Sequence, residues 1–189
     1  MIAVFRRELN GYFKSMMGYL FSAFVLIFAG IYTMVYNLSG YTAHFERVLS
    51  SISFLYLIAV PILTMRSVAE EKKQKTDQLL YSLPISLSSV VVGKYLALCT
   101  VFALPCLADG IMIVVLWLLG GTASACGANF AALLCYFLLG CAAIAVCEFC
   151  SGLTENQIIA AVMGFSALLL AYMMPSLRSM FNAGSAVAL

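Results

Sequence analysis

From Met16 to Tyr36 the chain runs without a single charged residue. At 1.5 Å per residue, roughly 20 apolar residues cross the hydrocarbon core of a bilayer, so this run is long enough to span it. Arg6, Arg7 and Lys14 precede it like the n-region of a secretory signal. The apolar run is too long for such a signal, however, and no small-x-small cleavage site follows it. It reads as a retained transmembrane helix. A chain that starts this way folds in a membrane or not at all.

The remaining residues say the same. Charged residues make up 10% of the chain and hydrophobic ones 64%, with a mean hydropathy of +1.05, whereas soluble domains carry about 25% charge. No basic stripe with interleaved aromatics points to nucleic acid. Seven cysteines are an odd number, and nearly all sit inside apolar runs, where Cys acts as a small hydrophobe. They specify no disulfide framework.

Four more spans follow: Ser50 to Met65, short and holding Pro61; Val90 to Leu119; Asn129 to Phe149; and Gln157 to Met174. Lys94 is placed to snorkel from the third span toward the polar side. Gly120 to Gly127 and Ser151 to Asn156 read as short polar hinges. With the N-terminus in the cytoplasm, that side receives Arg6, Arg7, Lys14, Arg66, Lys72, Lys73, Lys75 and Lys94, and the other only Arg47 and Arg178. The positive-inside rule therefore places the N-terminus inside. Residues 1–15 repeat Phe5, Leu9, Tyr12 and Phe13 near helical spacing, with Arg6, Arg7, Glu8 and Asn10 between them. This pattern suits an amphipathic helix lying in the membrane interface; the plainer alternative is a frayed tail. After Pro175 the sequence reads as the start of another apolar stretch cut short, so a C-terminal truncation is expected. The expected fold is all-α: one polytopic helical bundle over residues 1–189 with five spans.

The dense charge lies between Met65 and Ser86. Glu70, Glu71, Lys72, Lys73 and Lys75 belong in water or among headgroups. Thr76 or Asp77 can cap a short helix whose apolar face is Leu79, Leu80 and Leu83, ended by Pro84. A plain loop obeying the positive-inside rule needs no such face.

The run Ala69-Glu70-Glu71-Lys72-Lys73-Gln74-Lys75-Thr76-Asp77-Gln78-Leu79-Leu80-Tyr81-Ser82-Leu83-Pro84-Ile85-Ser86, with Gly93-Lys94 beyond it, resembles the signature after the second helix of type-2 ATP-binding-cassette (ABC) transporter permeases. It departs from that pattern at Lys75, where the family usually has Gly. Ser151-Gly152-Leu153-Thr154-Glu155-Asn156-Gln157 is similar to a motif of bacterial members related to gliding-motility and copper-processing permeases. The resemblance runs from the N-terminal helix to Met174. It implies a six-helix permease, here with five, that dimerises with an identical or homologous copy in the bacterial cell membrane. A separate ATPase subunit would drive it, seated on residues 66–88 as coupling segment. An exporter working by alternating access is the expected function, and the cargo is not readable.

Asp109 lies near the middle of the third span, where a charge costs about 2.5–3.5 kcal/mol on the translocon scale. It must face protein or water, or carry a proton. Either it serves as an intramembrane polar site or it is a protonated group hydrogen-bonded across helices near Pro105. Glu148 reads as interfacial. Cys147 and Cys150 have metal spacing but no second pair, and His44, the one histidine, lies in an outer loop, so neither metal nor cofactor is expected. The sequence holds no G-x-x-x-x-G-K-[ST] loop, so ATP hydrolysis by that route belongs to a partner and the chain is expected not to be an enzyme. An intramembrane enzyme using Asp109 lacks a second acid or metal. The rival is a non-transporting membrane anchor that holds a cytoplasmic complex through residues 66–86. Small residues in Gly140-Cys141-Ala142-Ala143 permit close helix packing.

Overall fold

The structure, a computed structural model, describes residues 2–39, 44–65, 67, 87–119 and 123–187. Among them every regular element is helical. Five helical stretches are long and apolar enough to cross a membrane: Met16–Leu38, Phe45–Thr64, Ser88–Leu118, Cys126–Leu153 and Gln157–Pro175. Because the stretches alternate in direction, residue 15, the chain after Thr64, Leu87 and the Leu153–Gln157 turn gather at one end of the bundle. We call this the basic end. Ser39, His44, Leu119 and Ala123 mark the far end.

Helix α1 (Ile2–Lys14) precedes the first span and packs against the long helix α5 (Leu87–Leu118). The apolar repeat explains this contact. Tyr12 is buried, and Leu9 packs on the core from the same face. The chain then turns at Ser15, whose extended backbone breaks the helix while its N–H still donates to the Gly11 carbonyl at 3.0 Å. Helix α2 (Met16–Thr33) leaves at a corner so tight that a Cβ on Gly18 would meet the Tyr12 carbonyl oxygen at 3.0 Å. Phe21, Val25, Ala29 and Thr33 form its inward stripe at four-residue intervals, and Leu20, Ile27 and Ile31 face outward. The helix ends in a π-helical turn, Met34–Leu38. Thr33 hydroxyl donates to the Ala29 carbonyl at 2.6 Å just before it, a back-bond of the kind that bends helices.

The second span differs from the sequence expectation. It begins at Phe45, not Ser50, as α3 (Phe45–Ile52), a single 3₁₀ turn Ser53–Leu55, and α4 (Tyr56–Thr64). Its buried share, 56% against 17–33% for the other four, makes it the central helix of the bundle. Phe45, Val48, Leu49 and Ile52 bury one stripe while Glu46 and Arg47 stay at the surface. The early start is explained from outside the helix: Asn129 Oδ1 accepts the Phe45 N–H at 3.0 Å and the Glu46 N–H at 3.4 Å. A residue 84 positions away thus serves two of the four orphan donors of the first turn.

Helices α5, α6 (Ala123–Leu153) and α7 (Gln157–Val187) complete the bundle, α5 on α6 and α6 on α7 forming its most extensive contacts. Helix α6 continues through Ser151–Leu153, part of the expected hinge, and starts at Ala123 inside the other. Asn156 Oδ1 then accepts the Ile158 N–H at 3.0 Å and caps α7. Pro175 does not end α7, which runs on to Val187.

An aromatic cluster holds the middle. Phe102 on α5, fully buried, has Tyr56 at 5.4 Å, Phe137 at 5.9 Å, Tyr136 at 6.1 Å and Phe21 at 6.2 Å, measured between ring centroids. Aromatic pairs at such spacing contribute about 0.5–1.5 kcal/mol each beyond area burial. The ring lies against Gly140 of α6 so closely that a Cβ there would collide with it. The sequence's small-residue stretch is therefore a real close approach. Gly164 does the same for α7, where a Cβ would meet Cys147 Sγ at 3.2 Å.

Candidate functional site

The residues expected to couple to an ATPase, Glu70, Glu71, Lys72, Lys73, Thr76, Leu79, Leu80, Leu83 and Pro84, lie outside the described residues. What is described is the frame on either side of them. Thr64 closes α4 by donating its hydroxyl to the Val60 carbonyl at 3.0 Å, and Met65 N–H donates to the Pro61 carbonyl at 2.9 Å. Pro61 is tolerated inside α4 although it supplies no N–H to the helix ladder. Ser67 follows, buried, with its own N–H on the Thr64 carbonyl at 3.0 Å.

Lys94 reaches this point from α5. Sequence reasoning expected it to snorkel to water; it is instead 3% exposed, and its Nζ donates to the Ser67 carbonyl at 2.7 Å. The reason is local. The Ser67 carbonyl accepts a charge-assisted hydrogen bond from the ammonium, which offsets part of the hydration it gives up. Glu148 on α6, also buried, lies within electrostatic reach of Lys94 and of Glu8 on α1. Glu148 is thus interior to the bundle and not an interfacial residue facing solvent. Glu8 itself pairs with Arg7 at 2.9 Å.

Asp109 is 1% exposed and lies within the Ser88–Leu118 span. Neither carboxyl oxygen has a hydrogen-bond partner among the described residues. The cross-helix hydrogen bond, one of the two readings of this residue, is therefore absent among the described residues. Tyr56, Tyr136 and Cys106 are its electrostatic neighbours. The Tyr56 hydroxyl is turned away from solvent and donates to the Tyr136 carbonyl at 3.2 Å.

A second buried polar side chain escaped sequence reasoning. Asn37 is carried inward by the π-helical turn and has neither side-chain atom partnered among the described residues. Its signal was weak, one polar residue at the end of an apolar run. Cys147 and Cys150 are buried free thiols, the former wedged against Gly164 near Pro61. An apolar groove of about 210 Å³ lies between α2 and α4, lined by residues such as Met17, Leu20, Phe24, Ile58 and Ile62.

These features define a multi-pass helical membrane protein that buries polar side chains such as Lys94, Asp109 and Glu148 within its bundle. The family model described as ABC-2 family transporter protein matches residues 31–188, from within the first span to beyond the fifth. The chain belongs to that family and is a permease subunit of an ABC transporter. No curated protein and no solved structure matches it. The match is to the family as a whole and does not select the gliding-motility or copper-processing members. It leaves out α1 and most of α2, which the sequence resemblance had included.

Proposed function

We propose that this chain pairs with a second permease copy and with a separate ATPase in the bacterial cell membrane, and exports its cargo by alternating access. In this reading the basic end is cytoplasmic and α1 lies along that interface. Residues 66–88 form the coupling segment on which the ATPase sits. The observation that carries the reading is the family match from the end of the first span through the fifth, with the charged segment falling between α4 and α5 in the sequence. ATPase closure would push the segment, and the push would reach the packed helices through their ends. Asp109 would serve the transport path as a polar site exposed in one of the two states.

The test is reconstitution with the ATPase encoded beside it. A permease predicts ATP hydrolysis stimulated by the membrane subunit, and a vanadate-trapped state in which a cysteine at Ser39 changes its labelling rate. An anchor predicts a bound partner with no nucleotide-dependent change at Ser39.

A further inference from the structure

Lys94 is buried in a place where a lysine needs a reason. An ammonium removed from water is costly unless it is paired and hydrogen-bonded, and a lysine near a membrane helix end normally has water within reach. Here the side chain turns inward and ties its own helix to the chain beyond α4, with Glu148 of α6 within electrostatic reach. Its own helix, α5, begins seven residues earlier, at Leu87. Ser67, whose carbonyl it holds at 2.7 Å, lies three residues beyond the end of α4. Glu148 belongs to α6, and Glu8 to α1, which packs against α5. The segment between Ser67 and Leu87 is therefore fastened at its entry to the helix that receives it at its exit.

We propose that Lys94 is a positioning residue that clamps the start of the coupling segment to α5, with Glu148 as its counter-charge. The inference rests on the coupling role proposed above and adds the route of the push. With Ser67 tied to α5, displacement of the segment moves the end of α4 and the start of α5 as one body. Glu148 passes the displacement to α6, and α1 follows through its contact with α5. Without the clamp the segment would flex against α4 alone and its movement would be lost locally. An ammonium has three donors on a compact head, so one side chain can serve a carbonyl and a carboxylate together. Neutral residues of the same length cannot.

The experiment uses Lys94→Met, Lys94→Arg, Glu148→Gln and the double variant Lys94→Met/Glu148→Gln. Three readouts are taken: amide exchange around residues 64–70 in the purified chain, the melting temperature, and kcat and KM for ATP in the complex with its ATPase. Loss of a charge-assisted hydrogen bond to the Ser67 carbonyl should speed local exchange by about 10-fold or more in Lys94→Met. The kcat should fall by a similar factor with KM for ATP unchanged, since nucleotide binds the partner. Lys94→Arg should recover much of both, and Glu148→Gln should show the same pattern more weakly. The double variant removes the orphaned carboxylate and should regain the melting temperature lost by Lys94→Met without regaining kcat. That split separates positioning from structure. Unchanged exchange near Ser67 overturns the clamp, and so does a double variant that regains stability and kcat together. If Leu80→Asp leaves the complex intact and active, the coupling reading fails, while the exchange readout still decides whether Lys94 holds Ser67.

Discussion

The contact between α5 and α6 gives the sharpest test of the packing. A Cβ on Gly140 would overlap Cε1 and Cζ of Phe102 and press on Cδ1 at 3.2 Å. Ordinary contact begins near 3.4 Å, so Gly140→Ala requires the ring or one helix to retreat by about 1 Å. The ring has nowhere to go: Phe21, Tyr56, Tyr136 and Phe137 surround it. Overpacking of this kind costs about 1–3 kcal/mol. Where lipid is as apolar as the side chains, helix association depends on close packing, and a 1 Å separation is not recovered elsewhere. Phe102→Leu shortens the side chain and vacates the disputed space, at a cost of its own. Gly140→Ala made in that background should then be nearly neutral. The double-mutant cycle, read by reversible unfolding in mixed micelles, should return a coupling of about 1–3 kcal/mol. A coupling below ~0.5 kcal/mol, the usual additivity of distant sites, would show that the two residues are not in contact.

Three further outcomes follow from the same geometry. Asn129→Ala should destabilise the bundle by about 0.5–2 kcal/mol through loss of the cap on α3, whereas Asn129→Asp keeps the acceptor and should be close to wild type in melting temperature. Asp109→Leu should leave the fold as stable as wild type or more so, because no hydrogen bond is broken among the described residues; a loss of transport in both Asp109→Leu and Asp109→Asn would then mark a functional group, and normal transport in both would dismiss it. In a background without the native cysteines, Ser39→Cys should label from outside intact cells and Gln74→Cys only from inside, and labelling of both from one side contradicts the topology.

Four of the five spans were legible because length and hydropathy decide them, and their edges moved by only a few residues. The second was misread at its start. Glu46 and Arg47 look like loop residues when counted as charges, yet they occupy the outer face of a helix whose inner face is Phe45, Val48, Leu49 and Ile52. That spacing was available in the sequence. The Asn129 cap was not, since a side chain reaching from another helix leaves no local pattern. Lys94 was misjudged for a similar reason. Its position near a polar end fits snorkelling equally well, and only the Ser67 carbonyl 27 residues earlier makes burial favourable. At Gly140 the small-residue pattern correctly marked a close approach, but not that Phe102 fills it. The resemblance around Glu70–Pro84 named the family before any geometry, and the match over residues 31–188 agrees with it.

The central claim is that residues 66–88 join this permease to its ATPase. The helix that the sequence suggests from Asp77 to Leu83 would be far below the ~12 residues at which isolated helices become even marginal in water, so its apolar face would need a docking surface. Leu80→Asp and Leu83→Asp each place a charge on that face without touching a membrane span. The decisive measurement is co-purification of the ATPase with each variant from membranes in which the chain is inserted at wild-type level, together with ATP-driven transport. Both variants should remain inserted, lose the ATPase or its stimulated hydrolysis, and fail to transport. Full retention of the ATPase and of activity in both would contradict that claim and reduce the segment to a cytoplasmic loop.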